Sequence, residues 1–216
     1  MSPIGATGTY NFAEKVDLGA VYSLDLKRHI SSVGYLPQDQ IDSITNWDNR
    51  TDLDGEVHNV NAELYVRTTN NDPASGSATW GAWQKFAAGT YKARGYDFKS
   101  ILTSTNIDEN IRVTELGVKA DFQNRTEKSV IAVASGSASS GKTITFAKPF
   151  FVGTSTLGGL NSNLPSVGIV GQNLQSGDFF NVTSVSGSNF VVKFMNGSSV
   201  VDRNFLWTAN GYGLGS

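Results

Sequence analysis

The sequence contains no cysteine, so neither a disulfide framework nor a thiolate metal site is open to it, and the redox compartment goes unmarked. Histidine is confined to His29 and His58. These two stand far apart, and neither lies in a nucleophile-elbow pattern, so paired-histidine chemistry has no footing. Charged residues make up 17% of the chain, too few for a fold of long amphipathic helices. Lys and Arg number 17 against 19 Asp and Glu, and no basic stripe interrupts that balance, so no nucleic-acid partner is expected. No apolar run reaches the about 18 residues that a membrane-spanning helix needs. The opening Met1-Ser2-Pro3-Ile4-Gly5 lacks a basic segment followed by an apolar one, so no secretory leader is expected. These absences together predict a soluble chain made in a cytoplasm, without membrane insertion.

What is abundant is Ser, Thr, Asn, Gly, Val and Phe, the composition of many short strands joined by tight turns. The 216 residues suit two domains of roughly 100 residues each. The predicted fold class is all-β: two antiparallel β-sandwich domains over 1–125 and 126–216. The break is placed in the polar run Gln123-Asn124-Arg125-Thr126-Glu127-Lys128. In the first half, Val16, Leu18, Tyr22, Leu24 and Leu26 share one parity, which puts them on one face of a strand. Further strands are predicted over 62–68, 96–102 and 111–120, and 36–55 reads as a long irregular loop. In the second half six strands are predicted, over 130–133, 142–146, 166–170, 178–183, 189–194 and 204–209. Ser186-Gly187-Ser188-Asn189 and Asn196-Gly197-Ser198 are predicted hairpin turns between them.

One motif matches a chemical signature letter for letter. Gly136-Ser137-Ala138-Ser139-Ser140-Gly141-Lys142-Thr143 fits the phosphate-binding pattern G-x-x-x-x-G-K-(S/T). That loop works only between a strand and a helix, because the helix N-terminus supplies the amides that hold phosphate. Downstream, Ile144-Thr145-Phe146-Ala147-Lys148-Pro149 alternates and meets a proline, so a strand is predicted and nucleotide binding is rejected. The acidic loop with Asp48, Asp52 and Asp54 offers hard oxygen ligands suited to calcium, without the EF-hand spacing. Asp52, Asp54, Glu56 and Glu63 would have to supply the carboxylate pair of a glycan hydrolase, yet nothing in their setting points to a raised pKa. No catalytic residue is assigned, and a non-enzymatic protein is expected.

Aromatic residues carry the binding candidates. Trp80 and Trp83 are three apart, which on a regular strand places them on opposite faces and leaves at least one for a contact. Tyr91 joins them as a candidate in the first domain, and Asn173, Asp178, Phe179, Trp207 and Tyr212 are the candidates in the second. Stacking on aromatic rings is a common way to grip sugars or partner chains.

The segments Ala62-Glu63-Leu64-Tyr65-Val66-Arg67-Thr68, Trp80-Gly81-Ala82-Trp83-Gln84-Lys85-Phe86, Thr90-Tyr91-Lys92-Ala93-Arg94-Gly95-Tyr96-Asp97-Phe98 and Val113-Thr114-Glu115-Leu116-Gly117-Val118 resemble a module of phage tail-tip host-specificity and tail-fibre proteins. Their order also resembles a galactose-binding-type jelly roll. From about Lys128 the chain resembles the six-stranded, H-type-lectin-like domains of phage tails. That second likeness is carried by Phe146-Ala147-Lys148-Pro149-Phe150, Pro165-Ser166-Val167-Gly168-Ile169 and Gln172-Asn173-Leu174-Gln175-Ser176-Gly177-Asp178-Phe179-Phe180. The sequence departs from it by an insertion over 153–163, and no sugar-binding set can be matched. The resemblance implies a virion tail protein that associates with other tail proteins and with copies of itself, a trimer being favoured. It also implies attachment to a host-surface glycan. A carbohydrate-active accessory module or glycan hydrolase, and a connector without a ligand, are the alternatives.

Overall fold

The computed structural model describes residues 6–35, 59–106, 109–154 and 159–215. These residues form an all-β protein with antiparallel sheets and no helix among them. They divide into two compact units that are interleaved along the chain. The first takes 6–15, 26–35, 59–89, 96–106 and 109–120; the second takes Val16–Asp25, Thr90–Gly95, 121–154 and 159–215.

The first unit contains β1 (Thr7–Asn11), the latter half of β2 (Val16–Tyr35), β3 (Val60–Thr69), β4 (Gln84–Lys85), most of β5 (Gly89–Ser104) and nearly all of β6 (Asn110–Phe122). β5 pairs with β1 and β3, β3 with β4, and β6 with β2. Period-two alternation decides which side chains are hidden: Leu64 and Val66 of β3 and Tyr96 and Phe98 of β5 are buried, together with Leu26 and Phe86. The Phe98 ring gathers this core, 6.4 Å from both Tyr96 and Phe86 and 5.9 Å from Phe12.

The second unit is a two-sheet sandwich. One sheet has β14 (Asn204–Tyr212) at its centre, with β10 (Ser166–Gln172) on one side and β7 (Asn124–Lys128) and β8 (Val133–Ala134) on the other. The other is centred on β12 (Asn189–Asn196), flanked by β11 (Asp178–Val185) and by β9 (Lys142–Thr145) and β13 (Ser199–Val200). Inward residues alternate without a break: Phe190, Val192 and Phe194 from β12 meet Phe205, Trp207 and Ala209 from β14, with Ile144, Phe146 and Phe150 closing the end. Rings touch across the layers, Phe190 to Trp207 and Phe194 to Phe205, both at 5.5 Å. A smaller aromatic cluster joins this unit's share of β2 to its remainder. Phe122 stacks on Phe151 at 4.0 Å, and Tyr22 meets both edge-on while donating its hydroxyl to the Phe150 carbonyl. Burial pushes the Tyr22 phenol up. β15 (Leu214–Gly215) then pairs with β2 at Ser23 and Tyr22.

Both predicted hairpin turns sit where expected, joining β11 to β12 and β12 to β13. Two segments differ from expectation. Residues 130–133 were expected as a strand, but pairing begins at Val133, and Val130 and Ile131 are 86% and 74% exposed. The polar run chosen as the break instead contains β7, paired along β14. Close packing restricts Gly211, where an added Cβ would lie 2.6 Å from the Phe150 ring. Gly211→Ala is therefore expected to lower stability by about 1–3 kcal/mol in thermal denaturation.

Candidate functional site

The strongest constellation lies on the outward face of β3 and β5 in the first unit. Because Leu64 and Val66 turn inward, Glu63, Tyr65 and Arg67 turn outward. On β5 the same alternation turns Asp97 and Lys99 toward them: Arg67 Nε and Nη2 donate to one Asp97 carboxylate oxygen at 3.0 and 2.7 Å. The chain beyond β3 then folds back along its edge and lays two indoles over this pair.

Both indoles end up beside Arg67, and this overturns the opposite-face expectation. The Arg67 guanidinium is 5.0 Å from the Trp80 ring centre and 4.6 Å from that of Trp83. The physical reason is a slip in pairing. The Gly81 amide donates to the Thr68 carbonyl, whereas Gln84 lies opposite Val66, so three residues on one strand advance against two on the other. Such a bulge reverses the parity of everything beyond it.

Cations and rings then alternate across the face. Lys15 lies 5.4 Å from Trp80, Arg67 lies between Trp80 and Trp83, and Lys99 is 4.5 Å from Trp83 and 5.8 Å from Tyr65. Each such contact adds about 0.5–1 kcal/mol at an exposed site. The Tyr65 hydroxyl donates to Glu63, which also accepts from Lys85. The Lys85 ammonium holds the Glu63 carboxyl below its usual range, while the bond to Glu63 raises the Tyr65 phenol. A lowered carboxyl is the reverse of what a glycosidic general acid needs. Asp52, Asp54 and Glu56, the other carboxylates of that reading, lie outside the described residues.

The remaining candidates scatter. Tyr91 is half-buried on β5 within the second unit. Trp207 is buried in the sandwich core, 5.5 Å from Phe190 and 6.0 Å from Phe146. Asn173 occupies a left-handed turn position, φ 55°, between β10 and β11, a conformation asparagine tolerates well. Phe179 on β11 and Tyr212 on β14 are exposed. Asp178 is enclosed: its carboxylate accepts from Arg203 at 2.6 and 3.2 Å, from Asn196 at 2.8 Å and from the Gln175 amide at 2.6 Å. Arg203 above all, then the Gln175 amide, holds the Asp178 carboxyl far below the usual carboxylate range. Asp178 therefore ties β11, β12 and the approach to β14 together.

The phosphate-loop lookalike runs from β8 into β9, where Lys142 and Thr143 pair with Val192 and Val191. A strand stands where the motif requires a helix. The calcium candidates Asp48, Asp52 and Asp54, and also His58, lie outside the described residues. Among the described residues no three His, Cys, Asp or Glu gather as a metal site, and His29 bonds the exposed Glu115 at 2.7 Å. Sequence reasoning singled out the indoles but missed Lys15, Arg67 and Lys99. The signal was the polar parity of β3 and β5, which aligns Glu63, Tyr65 and Arg67 with Asp97 and Lys99. No protein-family model matches this sequence, and neither a curated protein nor a solved structure matches it.

Proposed function

We propose that this chain is a non-enzymatic structural protein of a bacteriophage tail that attaches to a host-surface polysaccharide through the Trp80–Trp83 face. The observation that carries the reading is the pair of indoles fixed around Arg67. Rings already held in place lose little conformational freedom on binding, and Trp and Arg are the residue types that dominate contact energies. The sequence likeness to tail modules supports the setting. Assembly with neighbouring tail proteins and with copies of the chain is supported by the sheet edges: β10 pairs with β14 alone and β11 with β12 alone among the described residues. Val170 and Phe179 are exposed on those two strands. Such edges accept further strands, and a trimer would multiply weak sites into useful avidity.

The test combines mass photometry with an array of bacterial polysaccharides, using the full chain. A trimer that binds at least one polysaccharide is expected. Trp83→Ala should weaken that binding roughly 30-fold while leaving the assembly intact. A monomer that binds no polysaccharide overturns the attachment reading, and measurable polysaccharide turnover overturns the non-enzymatic one.

A further inference from the structure

The opposite face of β5 carries a separate groove, within the first unit. In the β1–β5 register Tyr10 stands opposite Ser100 and Gly8 opposite Leu102. Phe12 follows on the same parity as Tyr10, and their rings meet edge-on at 5.8 Å. β6 forms the other wall through Val113 and Glu115, and the open groove has a volume of about 400 Å³. A neighbouring hollow of about 260 Å³ shares Leu102 and is bordered by Gly8 and Asn110. An added Cβ at Gly8 would meet nothing within 4 Å, so this second hollow is open beside Gly8.

One atom in this groove is out of keeping with a simple core. The Ser100 side chain is fully buried, lines the groove, and its hydroxyl has no hydrogen-bond partner. Buried hydroxyls are nearly always satisfied, because leaving one unpaired is destabilising. At the rim the Glu115 carboxylate is held by His29 Nε2 at 2.7 Å. The groove therefore combines two aromatic rings, apolar walls, a buried hydroxyl without a partner and a positioned carboxylate acceptor.

We propose that this groove binds one neutral sugar residue. A pyranose ring presents an apolar C–H face, which suits Tyr10 and Phe12, and hydroxyls, which suit Ser100 and Glu115. An acyl chain would leave the Ser100 hydroxyl unpaired, and an acidic sugar would meet the Glu115 charge. The proposal deepens the polysaccharide-attachment reading by naming the sugar class. Its site lies on the other side of β5 from the Trp80–Trp83 face, since Ser100 and Lys99 are successive residues of one strand.

The experiment titrates the full chain with the methyl glycosides of glucose, galactose, mannose, N-acetylglucosamine and N-acetylgalactosamine, followed by calorimetry and saturation-transfer NMR. Laurate and sialic acid serve as comparison probes. At least one neutral glycoside is expected to bind in the millimolar range, as a small single-site ligand should. Ser100→Ala should weaken it about tenfold while holding or raising the Tm of the free protein, because the unpaired hydroxyl is gone. Glu115→Gln, an exposed change that does not touch the core, should weaken it to a similar degree. Trp83→Ala should leave glycoside affinity unchanged. Binding of no neutral glycoside, binding indifferent to both groove variants, or a preference for laurate or sialic acid each overturns the proposal. If polysaccharide binding persists and depends on Trp83 while no glycoside binds, the groove proposal alone fails. If glycoside binding depends on Ser100 but polysaccharide binding ignores Trp83, the Trp80–Trp83 reading alone fails.

Discussion

Phe190→Ala is expected to lower the unfolding free energy by about 3–5 kcal/mol, read from urea denaturation of the full chain with Trp207 as a fluorescent reporter. Phe190 is fully buried and stands opposite Ile144 in the β9–β12 register. Its ring lies 5.9 Å from Phe146 and 5.5 Å from Trp207. It therefore bridges strands of both sheets, and truncation removes apolar area and leaves a void between layers that their hydrogen bonding prevents from closing. Val191→Ala, one residue along on the half-buried outer side, should cost under about 1 kcal/mol. Equal losses at the two positions would contradict the assigned parity of β12.

The second large effect is expected at Asp178. Its side chain is wholly enclosed and that of Arg203 nearly so, at 0% and 16% exposure. Removing the carboxylate strands a guanidinium that has few other partners. Asp178→Ala should lower the Tm by roughly 10 °C. The pH dependence follows from the direction of the shift. Folding holds the Asp178 carboxyl below its ordinary value, so its contribution is complete above the unfolded value near pH 4 and declines as pH falls below it. Wild type should lose stability steeply on acidification below about pH 4, and Asp178→Asn should show a shallower slope from a lower starting Tm. Parallel acid slopes for the two proteins would rule out this pair as the source.

Much of the fold was legible because alternation is unambiguous where one face is apolar. β9, β10, β11, β12 and β14 all follow from spacing that the sequence displays openly. β7 was hidden because its inward residues are charged. Arg125 lies 3.9 Å from the Phe150 ring and donates to the carbonyls of Lys148 and Pro149, and Glu127 accepts from the Ala147 amide. Charges that close a core by satisfying backbone groups look, in sequence, like charges that face water. Val130 and Ile131 erred in the other direction, being β-branched residues in an exposed loop. The site was half legible for a related reason. Trp80 and Trp83 announce themselves, but a bulge shows no residue signature, and the ring–cation ladder exists only through that slip. Ser100 gave no signal at all, since a serine in a strand reads as solvent-facing until its surroundings are known.

The interleaving of the two units has a consequence for synthesis. The second unit draws on residues as early as Val16 and uses β15, at Leu214–Gly215, to bond Tyr22 and Ser23. Its β2 segment leaves the ribosome long before the partner strand that completes its hydrogen bonding. During that interval an apolar-faced strand must wait with one edge unmet, the circumstance in which nascent β proteins pair with the wrong neighbour. Gly19, with φ 79°, donates its amide to the Asp17 carboxylate at 2.8 Å and kinks that strand near its start, and a kinked edge beside a carboxylate is a poor template for a stranger. The chain thus carries, in its first long strand, a protection that matters before the native structure exists.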